Sequence, residues 1–192
     1  MGWIFYNIER DEHGRVPVKQ ECDRIINAEP SKCVLASSMY GSTYYAAVKD
    51  CDSNSVFGMV ILTHKGDDLH GNFGFKAMDE TFGPCYYDCS QKILDLLTST
   101  HDLWANGWRE GCRERLEQKR KSKEISKLLS GTVIKTTIPY DMEDYCKGEQ
   151  VVLTKQYLTK AKSAKWVDQA KHKYFASTFV AKTDYTIVKK GK

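Results

Sequence analysis

Apolar and polar positions change their period several times along this chain, and each change predicts an element. Gly2–Ile8 reads as a strand, followed by a turn at Asp11-Glu12-His13-Gly14. Val18, Cys22, Ile25 and Ile26 recur at helical spacing, and Glu29-Pro30 ends that helix. Cys33–Met39 and Thr43–Lys49 are strand-like runs on either side of Tyr40-Gly41-Ser42, the pattern of a hairpin. Val56–His64 is the most apolar stretch, β-branched at Val56, Val60 and Ile61, and reads as a central strand. Lys65–Pro84 holds four glycines and reads as a long irregular segment. A short helix is expected near Ser90–Leu97 with Ser90 as its N-cap.

The plainest helix comes next. Trp104, Trp108, Cys112 and Leu116 follow one another at steps of four and share a stripe. Its continuation, Arg113–Lys127, is densely charged, and Gly131 marks its end. Beyond it the period turns to β, in Thr132–Pro139, Gln150–Leu158, Tyr174–Lys182 and Tyr185–Lys189. The expected fold class is therefore α+β: an N-terminal antiparallel sheet with flanking helices, a long charged connector helix, and a small C-terminal β-barrel-like (SH3-like) module. The corresponding divisions are residues 1–108, 109–130 and 131–192.

Charge sharpens this division. The chain of 192 residues has a net charge of +4, but residues 1–108 hold 9 Lys/Arg against 15 Asp/Glu, a net of −6. Residues 109–150 stand at +2, and residues 151–192 at +8. A basic C-terminal surface that meets a polyanion follows from this asymmetry. Lys155, Lys160, Lys162, Lys165, Lys171 and Lys173 crowd one span, with Trp166 among them. Lysines neutralise phosphates and aromatic rings stack on unpaired bases, so these seven residues are the expected nucleic-acid contacts. The plainer reading is a solvated lysine face over an ordinary core.

Composition limits the remaining classes. No apolar run reaches the roughly 20 residues of a membrane span, and the N-terminus lacks the pattern of a signal peptide. Seven cysteines, an odd number, read as free thiols in a reducing cytoplasm. Neither a phosphate-binding GxxxxGK[ST] loop nor a GxGxxG or GxSxG motif is present. No cofactor is expected and no zinc-ligand spacing stands out. One segment gathers groups that chemistry uses, namely Asp79, Glu80, Cys85, Asp88 and Cys89. Asp79 and Glu80 holding a metal, with Cys85 or a histidine assisting, would make a small metal-dependent nuclease or hydrolase. Carboxylates that cap backbone amides are the structural counterpart of that reading.

The same segment carries a resemblance. Asn72-Phe73-Gly74-Phe75-Lys76, Met78-Asp79-Glu80-Thr81, Gly83-Pro84-Cys85, Cys89 and Ile93-Leu94-Asp95-Leu96-Leu97 resemble the signature of an uncharacterised family of small bacterial, phage and mobile-element proteins. Its loop residues here are Asn72, Gly74, Lys76, Asp79, Glu80, Gly83, Cys85 and Cys89. The match spans about residues 1–120 and brings no established activity. It implies a phage or mobile-element accessory protein in the bacterial host cytoplasm. The implied role is non-enzymatic binding of nucleic acid or a nucleoprotein complex, including inhibition of a host defence nuclease, as anti-CRISPR and anti-restriction proteins do. A structural or assembly role is the third expectation.

Overall fold

A computed structural model describes residues 2–8, 10, 12–66, 72–158 and 163–191. The chain is α+β, with two five-stranded antiparallel sheets. It divides into two compact units, Met1–Leu116 and Glu117–Lys192. That boundary falls inside the expected connector helix rather than at either of its ends.

The N-terminal sheet is formed by β1 (Ile4–Asn7), β2 (Lys32–Tyr40), β3 (Thr43–Asp50), β4 (Val56–Lys65) and β5 (Asn72–Asp79), in the order β1-β5-β4-β3-β2. Strand β3 lies between β4 and β2 with six consecutive buried residues, because both faces of the sheet are covered. On one face Tyr44, Ala46 and Val48 pack with Cys22 and Ile26 of helix α1 (Val18–Asn27). On the other, Tyr45 and Ala47 pack with Ile93 and Leu94 of α2 (Gln91–Leu94) and with Trp108 and Cys112 of α3 (Leu103–Lys127). Each fully buried large side chain here contributes on the order of 2 kcal/mol through the water it sheds. The glycine of β4 has a packing reason: a Cβ on Gly58 would stand 2.6 Å from the Trp108 ring.

Two expectations change in this unit. The segment expected to be irregular contains β5, which pairs with both β4 and β1. Gly74 and the charged Lys76 mask its strand signal, although Phe73 and Phe75 alternate into the core. Ser90 precedes α2, but its hydroxyl makes no capping bond.

The C-terminal sheet is formed by β6 (Val133–Thr137), β7 (Gln150–Leu158), β8 (Ser163–Asp168), β9 (Lys173–Phe175) and β10 (Tyr185–Lys189), in the order β10-β6-β7-β8-β9. It stays open, with β10 and β9 as its edges, so the barrel-like part of the expectation gives way to an open sheet. The run Tyr174–Lys182 is a three-residue strand followed by the short helix α4 (Ser177–Val180). Ile134, Leu153, Trp166, Phe175 and Val180 build a separate core, which takes in Ile125 from the last turns of α3. Among the described residues no helix is long and apolar enough to cross a membrane.

Candidate nucleic-acid interface

Strand alternation sorts the C-terminal lysines by face, and it removes Lys155 and Trp166 from the expected contact set. Lys155 pairs with Trp166 across β7 and β8 and points inward with it. The Lys155 side chain is 3 % exposed. Its ammonium donates to the carbonyls of Ile125, Ser126 and Leu128 at 3.3, 2.8 and 2.6 Å. These carbonyls lie at the C-terminal end of α3, where a cation is favoured by both hydrogen bonding and the helix dipole. Burial holds the Lys155 ammonium below its ordinary pKa. Trp166 is fully buried, so it stacks in the core rather than on a base.

Two further lysines are held within the unit. Lys171 donates to the Asp144 carbonyl and to Glu149 Oε1, both at 2.6 Å, and lies 4.1 Å over the Tyr145 ring. Lys173 is ion-paired with Asp144, which raises its pKa. Lys160 and Lys162 lie outside the described residues. Of the expected set, Lys165 is half-buried on the outer face of the sheet, paired in register with Gln156.

The outer face holds cations that the clustering of lysines did not reveal. Lys135 of β6 lies between Val152 of β7 and Thr186 of β10. Lys189 pairs with Val133 beyond a bulge at the end of β10. Val133, Thr154, Val167 and Tyr174 then run in register across four strands. Tyr174 is 59 % exposed. None of the described strand residues on this face is acidic, and Lys135, Lys165 and Lys189 make no ion pair among the described residues. Two shallow grooves of about 380 and 330 Å³ meet at Gln150 on this face. The Glu149–Lys171 pair and Asp168 bound the larger, and Lys135 and Asp184 line the smaller. The signal for Lys135 was the period-2 alternation within β6, not local lysine density; in β10 the bulge between Ile187 and Lys189 breaks that alternation and brings Lys189 to this face.

The signature segment of the N-terminal unit is built for structure. Asp79 Oδ1 accepts from the Thr81 backbone N–H at 2.8 Å and from its hydroxyl at 2.5 Å, capping the 3-10 turn Glu80–Phe82. Glu80 is 2 % exposed and forms a two-pronged pair with Arg109: Nε to Oε2 at 2.8 Å and Nη2 to Oε1 at 2.5 Å. Arg109 Nη1 donates to the Thr98 carbonyl at 2.7 Å. The two carboxylates of the enzymatic expectation are thus occupied, one as a cap and one as a buried counter-ion. No group of three or more His, Cys, Asp or Glu that could hold a metal occurs among the described residues.

The other signature residues fall around this pair. Asn72 opens β5 with its side-chain oxygen buried and unpartnered, Gly74 lies under the Phe5 ring, and Lys76 is half-buried. Gly83 has φ 55° and lies against Trp104. Cys85 is exposed, whereas Cys89 is buried beside Cys112. The Cys112 contact and burial both raise the Cys89 thiol, and burial pushes Cys22 up to about 12. Thiol reactivity requires thiolate and access. Iodoacetamide at pH 8 should therefore modify Cys33, Cys51, Cys85 and Cys146 in the native protein, and all seven thiols in urea. Mass spectrometry of the intact chain reads both numbers.

No family model, curated protein or solved structure matches the chain.

Proposed function

We propose that the protein binds single-stranded nucleic acid through the outer face of its C-terminal sheet. The observation that carries this reading is a sheet face that holds Lys135, Lys165, Lys189 and the exposed Tyr174 and no acidic residue among its described strand positions. Residues 117–192 contain 17 Lys/Arg and 8 Asp/Glu, a net of +9, so the face sits in a positive field. A flat sheet with a projecting ring suits unpaired bases, which expose a π-face that a duplex keeps stacked. Threonine and glutamine side chains between the lysines supply donors and acceptors for sugar and phosphate oxygens.

In the phage or mobile-element setting that the signature implies, such a protein would occupy the nucleic acid of a nucleoprotein complex. Inhibition of a host defence nuclease is one role of that kind. The acidic N-terminal unit would then make the protein contacts.

A labelled single-stranded 12-mer, titrated with protein over a range of salt concentrations, tests the reading by fluorescence anisotropy. Affinity should fall as salt rises. Changing Lys135, Lys165 and Lys189 together to alanine should flatten the log–log salt slope by about 2, at roughly 0.7 per phosphate contact on a single strand. Tyr174→Ala should weaken binding by about 1–3 kcal/mol with no change of slope. No binding at low salt, or a triple variant with the wild-type slope, would overturn the proposal.

A further inference from the structure

We infer that the N-terminal unit carries a docking site for a basic amphipathic helix of a partner protein, built on Phe82, Leu103, Trp104 and Gly107. Leu103 is 85 % exposed, Trp104 69 % and Phe82 64 %, three large apolar side chains that the fold leaves in water. The packing at Gly83 brings Trp104 next to the chain position of Phe82. The Trp104 ring lies against Gly83, where a Cβ would stand 2.9 Å from it, and Phe82 immediately precedes that glycine. Leu103 adjoins Trp104 in the first turn of α3. The ring is thus braced from behind and open in front, the condition of an anchor that loses little freedom when it binds.

Gly107 sets the kind of contact. A glycine inside a helix weakens it, so its presence calls for a packing reason. Gly111, one turn later, has such a reason inside the unit, because a Cβ there would meet the Tyr87 ring at 2.8 Å. Nothing in the structure comes within 4 Å of a Cβ on Gly107. The missing side chain leaves room for a second helix backbone to approach α3 beside Leu103 and Trp104.

Charge selects the partner. Leu103, Gly107, Glu110 and Glu114 follow at steps of four, three and four, so they form one line along α3. Glu110 and Glu114 are exposed and make no ion pair among the described residues. Arg113 lies off this line, and Arg115 is taken by Asp88. Residues 1–116 hold 12 Lys/Arg and 17 Asp/Glu, a net of −5. A helix with an apolar face over Leu103 and Trp104, and lysines or arginines one to two turns further along, complements this line.

The probe is a fluorescein-labelled 18-residue peptide of Leu, Ala and Lys with an amphipathic helical pattern, titrated with the full chain and read by anisotropy. Saturable binding is expected, with Leu103→Ser and Gly107→Ala each weakening it at least tenfold. Gly107→Ala should also raise the melting temperature, so its loss of binding cannot be laid to unfolding. The Lys135, Lys165 and Lys189 triple variant should bind the peptide normally, which separates this site from the nucleic-acid face. Three results would each overturn the inference: equal binding of a scrambled peptide of the same composition, equal binding of a peptide with Glu in place of Lys, or wild-type affinity in Gly107→Ala. Failure of the amphipathic peptide to bind, with self-association of the chain by sedimentation, would assign the patch to a second copy instead.

Discussion

Changing Glu80 to alanine will destabilise the N-terminal unit by about 3–5 kcal/mol, enough to unfold a unit of ordinary stability. The carboxylate receives two hydrogen bonds from Arg109, and the arginine is itself only 6 % exposed. Without Glu80 a guanidinium stays in a dry site with the Thr98 carbonyl as its remaining partner. It must ionise there unpaired or pull the end of β5 open to reach water. The reciprocal change, Arg109→Met, leaves a buried carboxylate and should cost a similar amount. The double change Glu80→Leu with Arg109→Met should cost much less than the sum, because the penalty belongs to the unpaired charge rather than to the absent pair. Urea unfolding of the four proteins gives the coupling energy directly. A loss below about 1 kcal/mol in Glu80→Ala would show that water already reaches the site, as at an exposed pair.

Lys155→Ala should destabilise the C-terminal unit by about 2–4 kcal/mol, from charged hydrogen bonds lost and carbonyls left without a partner. The ammonium gathers three carbonyls at the end of α3 while its stem packs in the core. Nucleic-acid affinity, measured at a temperature where the variant is folded, should stay within a factor of two of wild type. That contrast is the discriminating result. Lys135→Ala should do the reverse, weakening binding and leaving the melting temperature nearly unchanged. Thermal unfolding followed by circular dichroism, beside the anisotropy titration, reads both. A large loss of affinity in folded Lys155→Ala would return this lysine to the binding surface.

These two residues show where the sequence was legible. Helix and strand periods located α1, β2, β3, β4 and α3, because apolar residues on those elements repeat without interruption. They failed at β5, where Gly74 and Lys76 break the apolar pattern for reasons that lie elsewhere in the fold. Gly74 leaves room for the Phe5 ring. Charge counts correctly located a basic C-terminal unit but could not say which lysines face water. A lysine in an inward-facing strand position looks the same, in a list of residues, as one facing out. Lys155 is recognisable as inward only once Leu153 and Val151 are seen to share its face. Likewise, nothing local marks Glu80 as buried, since its partner lies 29 residues away.

The sharing of α3 between the two cores has a consequence for how the protein can be divided and recombined. Ile125 and the carbonyls that receive Lys155 belong to the helix, yet they complete the C-terminal sheet. A gene fragment that begins after the helix, at residue 131, would encode a sheet with an exposed core edge and an ammonium with nothing to bind. A fragment that keeps the C-terminal sheet with its own core therefore opens near Glu117, inside a helix.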